Sequence, residues 1–490
     1  MKASTLDFIN AKPLRFLLNG QWVSGNNTTV VTNPATQQQI TTICTASQEH
    51  VEQAISAAEQ AMVGWQAMSV SERSACLIRL GNLIDEHAQT MAELECIDVG
   101  KPVSAALAFD VPYAAECFRY FARQAQECTY KVDLGLTVTD GRVVKKPYGV
   151  CGFIFPWNFP LTLCAWGVAP ALAAGNTVVI KPASETPLST LYLAKLAEEA
   201  GIPAGVINVL PGSGSEVGEA LIQNSRLKHM SFTGSTEVGR HVAEACGRNL
   251  VPVKLELGGK GAAVVFDDAN IEAAAEGLVG AITLNAGQVC CTATRWYIQR
   301  GSFSRFAELA IEKMNAVVLG NGLNSDTQMG PICTAKQLAS VLHCIALAQA
   351  KGAEVLCGGK RAMEGELKEG YFLQPTLLTG SEDNSMAQEE IFGPVAYLLV
   401  FDDEQEVIGR VNGNIYGLAN SVWSQDRNRA ERVAAALVSG NSWINIHNLF
   451  EYGLPYSACN QSGCGGGVNS IETFEGYLRK QAIAGLRRGG

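Results

Sequence analysis

What this 490-residue chain lacks narrows its class before any motif is considered. Its 15 cysteines contain no CxxC pair, and its six histidines (50, 87, 229, 241, 343 and 447) form no HxxxH pair, so the expected metal is none. Irregularly spaced thiols without a framework read as free cysteines in a reducing compartment, with the cytoplasm as the default. No Lys/Arg block interrupts a chain of net charge −10. That argues against nucleic acid or an anionic membrane as the main partner and favours a small ligand. The opening MKASTLDFINAKPLRFLLNG lacks the apolar core and small-residue cleavage site of a secretory signal, so none is expected.

Charge is also missing from one long internal stretch. Pro147 to Ile180 contains no Asp, Glu, Lys or Arg. A bilayer span needs about 20 such residues, but Pro147, Pro156, Pro160 and Pro170 cut this one into short pieces, and NTVVIKP ends it as a β-branched run. The expectation is a buried strand, turn, helix and strand, not a membrane span.

Internal repeats and low-complexity linkers are absent too, and the length predicts two or three lobes. Ser47 to Glu95 has helical spacing, with a start signal at Ser71-Glu72, and a further helix is predicted over Val111 to Glu127. In YKVDLGLTVTDGRVVKKPYGV the period changes to alternation around Asp140-Gly141, a hairpin signal. From GVCGFIFP to HMSFTG, strands alternate with helices, and a second alternating series follows KLELGGK. The implied class is α/β with parallel sheets, in two lobes meeting near Leu257 to Lys260.

Several short stretches could carry chemistry. LPGSGSEVG, with Gly212, Gly214 and Gly218, follows a strand and enters a helix, and FTGSTEVG repeats the arrangement with Ser235 where the helix opens. Two such turns in succession suit phosphate held at helix N-termini, although any strand-to-helix turn favours glycine. In NAGQVCCTATR, Cys290 or Cys291 is a candidate nucleophile if its thiolate is favoured, against the commoner reading of a small buried hydrophobe. Glu256 in ELGGK could act as a general base, or be a surface carboxylate. Asn158 in PWNFP is a rigid neutral donor suited to an oxyanion, or a turn residue.

PWNFP, KPASETP, FTGSTEVG, LELGGK, GQVC and EEIFGPV, in this order, resemble the NAD(P)-dependent aldehyde dehydrogenase superfamily over nearly the whole chain. The interval from Glu256 to Cys290 also fits that family's base-to-nucleophile spacing. The resemblance selects Cys290 as nucleophile, with Asn158 as oxyanion donor and Glu256 activating the hydrolytic water. It implies NAD or NADP bound by Ile154, Phe155, Trp157, Lys181 and Ser184. The turns would add Gly214, Gly218, Phe232, Gly234, Ser235 and Val238, and the nicotinamide end Leu257, Glu390 and Phe392. It further implies a substrate pocket of Tyr113, Phe159, Trp166, Leu284, Val289, Cys291, Phe450 and Tyr456. No Lys or Arg is among these positions, so an aromatic, aliphatic or amino aldehyde fits better than a dicarboxylate semialdehyde. Asp110 and Glu451 are candidates to favour a cationic one.

The resemblance also implies an architecture: a Rossmann-like NAD(P)-binding domain (1–127 and 147–256), an α/β catalytic domain (257–440), and a small β-hairpin oligomerisation arm (128–146 and 474–490). A return segment with the substrate-entrance loop (441–473) completes it. Such an arm implies a homodimer or homotetramer.

Two departures stand out. Ser184 occupies the position where NAD-committed relatives often carry Glu, which leaves NADP open. Where relatives commonly read PFGGxKxSGxGRE, this chain reads PYSACNQSGCGGG, Pro455 to Gly467. Competing readings are a CoA-acylating relative, disfavoured by Glu256, a catalytically silent structural relative, disfavoured by the joint presence of Cys290, Glu256 and Asn158, and a Cys-His hydrolase, which leaves the nucleotide turns unexplained.

Overall fold

The computed structural model describes residues 1–486. The uncharged stretch forms the centre of the first layer. Val150–Ile154 and Thr177–Lys181 are parallel neighbours buried on both faces, joined by the wholly buried helix Pro160–Ala173. Continuous apolar runs belong in a parallel sheet covered on both sides. Ile207–Val209 extends the sheet on one side, and His229–Thr233 followed by Val253–Glu256 extends it on the other, all parallel. The short strand Gly463–Cys464 closes the far edge antiparallel to Val253–Glu256. Among the described residues no helix is long and apolar enough to cross a membrane.

Residues 257–260 leave the end of Val253–Glu256 and enter Gly261–Val265, a strand of a second, seven-stranded sheet. These four residues make the physical step from one sheet to the other. The order across this sheet is Glu354–Cys357, Thr376–Thr379, Val395–Phe401, Ala293–Gln299, Gly261–Val265, Ala419–Trp423 and Asn441–Ile444. Only the first pair is antiparallel. Because Asn441–Ile444 belongs to the second sheet and Gly463–Cys464 to the first, the segment between them runs back across the cleft.

A third sheet is antiparallel: Lys131–Asp133, Thr139–Pro147 and Leu478–Leu486. Here the structure corrects the hairpin position. Asp140 and Gly141 lie inside a strand, paired with Gly485 and Ala484, and the turn comes earlier, where Gly135 takes the left-handed conformation (φ +61°). The last four residues of the expected arm, 487–490, lie outside the described residues. The helix Val70–Glu86 also starts earlier than the Ser71-Glu72 signal. Ser69 is its cap, exchanging hydrogen bonds with Glu72, because the reciprocal cap needs partners three positions apart and Ser71 is already inside the first turn. The strand pairs Phe16–Leu18 with Gln21–Val23 and Asn27–Thr32 with Gln39–Thr45 were not anticipated.

Candidate active site

The path of the chain into Cys290 is unusual. After the helix Ile271–Thr283 it passes through Asn285 (φ 48°), Ala286 (φ 53°) and Gly287 (φ +69°), three left-handed residues in a row. For the two non-glycine residues this costs about 1 kcal/mol or more each. Buried side-chain bonds hold the turn. Asn285 Nδ2 donates to the Asn158 carbonyl at 2.8 Å, Gln288 Nε2 donates to the Asn285 carbonyl at 2.8 Å, and Gln288 Oε1 accepts the Cys333 N–H at 2.9 Å. A Cβ on Gly287 would stand 2.2 Å from the Gly393 carbonyl oxygen, so the Gly-Gln pair is required by the turn itself.

This turn delivers Cys290, half-buried, to a cavity of about 480 Å³ in the cleft between the two large sheets. Asn158, Cys290 and the buried Cys291 share its wall. Phe159, Trp166, Leu284, Val289, Phe450 and Tyr456 line one part. Trp157, Gly234, Ser235, Leu257, Glu390 and Phe392 line another, with the Trp157 and Phe392 rings edge to face at 5.4 Å. Tyr113 is not brought to the cavity. It is stacked behind it on Tyr452 (4.5 Å) and Phe109 (4.9 Å), and Phe109, which sequence reasoning missed, forms the wall instead. The signal that could have found Phe109 is its place between two aromatic-rich segments. Its phase was obscured because Ala106–Asp110 is a wider helical turn that breaks the ordinary period.

Asp110 is also displaced from its suggested role. Its carboxylate is buried against Lys101 Nζ at 2.6 Å, and Lys101 reaches Glu95 at 2.9 Å as well. Burial raises Asp110 to about 6, and the Lys101 ammonium opposes this. A buried carboxylate needs such a partner, so Asp110 faces the protein interior and not a ligand. Glu451 is exposed.

Glu256 lies beside the large cavity in a separate chamber of about 20 Å³, which Cys290, Tyr456, Phe155, Lys254 and Thr233 also line. That volume holds about one water. Glu256 is buried, and neither carboxylate oxygen has a hydrogen-bond partner among the described residues. Burial lifts it to about 7, and the ammonium of Lys254, two residues back on the same strand face, opposes the rise. A carboxylate near neutrality can accept a proton at physiological pH.

The adjacent Cys291 thiol and burial hold Cys290 well above the ordinary thiol range, and the adjacent Cys290 holds Cys291 below it. Cys291 Sγ donates to Asn448 Oδ1 at 3.4 Å. Asn158 Nδ2 donates to the Gln288 carbonyl at 3.0 Å, which engages one of its two amide hydrogens. Glu390 Oε1 accepts the Gly259 N–H at 2.9 Å, and burial raises this carboxyl to about 7. Gly258 and Gly259 permit both close approaches: a Cβ would fall 2.5 Å from the Glu390 carboxylate at Gly258 and 2.4 Å from the Cys290 carbonyl oxygen at Gly259.

The remaining expected cofactor positions lie beyond the large cavity. Lys181 is buried, with Nζ donating to the carbonyls of Pro182 (2.9 Å) and Gly212 (3.1 Å), and burial lowers it to about 8. Ser184 Oγ donates to the same Gly212 carbonyl at 3.0 Å. Gly218 leaves open the space beside Lys181 and Ile154, whose side chains stand 3.6 and 3.8 Å from where its Cβ would be. Gly214 opens the turn at the helix start. Phe232 packs beneath Gly234, and Ser235 caps the helix Thr236–Arg248 by accepting the N–H of the exposed Val238 at 3.4 Å.

Two parallel sheets facing a cleft, with a thiol at its centre and glycine turns at helix starts along one side, are the layout of an α/β oxidoreductase. Residues 22–483 match the aldehyde dehydrogenase family, and the chain belongs to it. It is 38% identical over 476 residues to a phenylacetaldehyde dehydrogenase of Pseudomonas fluorescens, covering 94% of each chain. To a betaine aldehyde dehydrogenase of Bacillus subtilis (strain 168) it is 36% identical over 460 residues, covering 93% of this chain and 94% of that one. Its fold superposes on the NAD+ complex of an aldehyde dehydrogenase from Bacillus cereus with a TM-score of 0.97, at 36% identity and covering 100% and 99% of the two chains.

Proposed function

We propose that this chain oxidises an aldehyde to the carboxylic acid with NAD or NADP, through a thiohemiacetal and then a thioester on Cys290. The observation that carries this is the position of Cys290 on the wall shared by a large aromatic cavity and the one-water chamber of Glu256. The Cys290 thiolate, its proton already lost, adds to the aldehyde carbon, and the oxygen that becomes anionic is met by the second amide hydrogen of Asn158 and the N–H of Cys290. Glu256 takes a proton from water, the water oxygen bonds to the thioester carbon, and the C–S bond breaks to release acid and thiolate. A carboxylate poised as base supports hydrolysis over acyl transfer to CoA, and its presence with Cys290 and Asn158 speaks against a silent relative.

The residues along the cleft fit a dinucleotide. Gly218 leaves a cradle beside Lys181, and the Ser235-capped helix start opens at the cavity wall. Lys181, Ser184, Gly214 and Gly218 would hold the adenosine end, with Ile154, Phe232 and Val238 flanking it, and Phe155, on the wall of the Glu256 chamber, would lie at the nicotinamide half. Gly234 and Ser235 would meet the pyrophosphate. Glu390 would hold the nicotinamide ribose beside Trp157, Leu257 and Phe392. When bound, the nicotinamide supplies the hydride acceptor that makes the adduct a thioester. Ser184 carries no charge to repel a 2′-phosphate, so both cofactors are accommodated.

The substrate reading is an uncharged aromatic or aliphatic aldehyde. Phe109, Phe159, Trp166 and Phe450 supply apolar surface, and Asp110 is engaged by Lys101. Trp166 and Tyr456 rings 5.6 Å apart also offer faces to a quaternary ammonium, so an amino aldehyde is the second reading. The exposed Leu134, Leu136, Val138 and Leu486 on the three-stranded arm support a homodimer or homotetramer, and the free cysteines support a reducing, cytoplasmic setting. Purified protein given NAD or NADP and a panel of aromatic, aliphatic and trimethylammonium aldehydes should accumulate reduced nicotinamide. The signal should be lost in Cys290→Ala and persist in Cys291→Ala; persistence in Cys290→Ala overturns the reading.

A further inference from the structure

We propose that the Tyr456 hydroxyl is a catalytic hydrogen-bond donor to the Cys290 sulfur, so that this chain stabilises its nucleophilic thiolate with a phenol. The inference rests on Cys290 being the nucleophile. Tyr456 Oη lies 3.8 Å from Cys290 Sγ, in the protein interior. Its position is held from both ends. The Tyr456 N–H donates to the Val468 carbonyl at 3.0 Å and its carbonyl accepts the Val468 N–H at 2.7 Å, while its ring is packed between Trp166 (5.6 Å) and Phe450 (5.5 Å). A ring fixed at backbone and face leaves its hydroxyl only a torsion, so the donor is preorganised towards the sulfur.

Tyr456 stands in PYSACNQSG where relatives commonly read PFGGxKxSG. The phenylalanine there has the same ring and no donor. The hydroxyl is thus a chemical addition to the same ring, in a segment where this chain departs from that pattern. It also stands between the two spaces, lining both the large cavity and the chamber of Glu256.

The remaining groups facing the sulfur explain why a donor matters. Cys291 lies next in the chain, Glu390 raises the cost of negative charge from across the cleft, and Glu256 lies on the chamber side. His447 points elsewhere, bonded to the Cys291 carbonyl and Ser421, and burial holds it neutral, at about 4. The cation on the chamber wall, Lys254, is paired by charge with Glu256, and the phenol is the side chain that lowers the Cys290 thiol. The proton stays on the phenol throughout, since burial pushes Tyr456 well above the ordinary phenol range. As the sulfur becomes a neutral thioester the hydrogen bond weakens, and it re-forms as the thiolate departs.

The test is the pH dependence of alkylation by iodoacetamide, with the modified cysteine located by peptide mapping, in native protein and Tyr456→Phe. The expected result is label on Cys290 and a midpoint raised by about one pH unit in Tyr456→Phe, a tenfold loss of reactivity on the acid side. kcat should fall with the KM for aldehyde little changed, which a merely wall-forming ring would not produce. Site-specific 3-fluorotyrosine at 456, a stronger donor of the same shape, should move the midpoint the other way. Label on Cys290 with the same midpoint in all three proteins overturns the role of Tyr456 alone. Label on Cys291 in native protein overturns the choice of nucleophile beneath it.

Discussion

Replacing Lys254 with Met should move the pH dependence of hydrolysis by an amount the structure sets. Lys254 and Glu256 are two residues apart on the strand Val253–Glu256, on one face, and both are buried. At about 3.3 Å per residue the charges stand about 7 Å apart. At an effective dielectric of about 20 that separation is worth about 2.4 kcal/mol, or about 1.7 pH units. The ammonium stabilises the carboxylate and so opposes the rise that burial causes, which leaves Glu256 at about 7. A neutral methionine removes the opposition, and Glu256 should titrate between about 8 and 9 on the same scale.

At pH 7 the ionised fraction would fall from about one half to about 2%, so base-dependent turnover should drop roughly twenty-five-fold and recover towards pH 9. Stopped-flow spectroscopy separates the steps. The first burst of reduced nicotinamide should keep its amplitude at pH 7, and only the following steady rate should fall. An acid limb that stays where it is, or shifts to lower pH, would refute the argument that Glu256 is the base and that Lys254 tunes it.

Glu256→Gln should keep the burst, lose most subsequent turnover, and stabilise the fold. Glu256 loses its proton near 4.5 when unfolded and near 7 when folded, so its ionisation removes stability as pH rises through that window, by about 3 kcal/mol in full. Thermal melts of wild type and Glu256→Gln should coincide below pH 4.5 and separate above pH 7, with Glu256→Gln higher; superimposable melts at all pH values would contradict the desolvation argument. Ser184→Glu places a carboxylate where a 2′-phosphate would lie. The ratio of kcat/KM for NAD over NADP should rise about tenfold or more, and an unchanged ratio would show that the adenosine end lies elsewhere.

Much of the first layer was legible because its strands are apolar runs bounded by proline and glycine: Val150–Ile154 and the β-branched Thr177–Lys181 could be placed from their letters. The strand Ala293–Gln299 was not. ATRWYIQ carries an arginine at its third position, and only the fold shows that Arg295 is satisfied by the carbonyls of Lys260 and Val411. The Gly-Gly of ELGGK read as a seam, but its reason is the approach of Glu390 and the Cys290 carbonyl from distant parts of the chain. Asp110 was legible as a carboxylate near the pocket but not as the partner of Lys101, nine residues earlier, because a buried ion pair leaves no periodic trace. The division of the site into a large cavity and a one-water chamber, with Tyr456 on both walls, depends on packing between segments about 200 residues apart in sequence, between 256 and 456.

The most direct measurement is intact-protein mass spectrometry with peptide mapping after rapid acid quench of Glu256→Gln mixed with oxidised cofactor and a reactive aldehyde. The account predicts one added acyl group per chain, as a thioester on Cys290. An unmodified Cys290 in protein that has produced its burst of reduced nicotinamide, or an acyl group on Cys291, would contradict it.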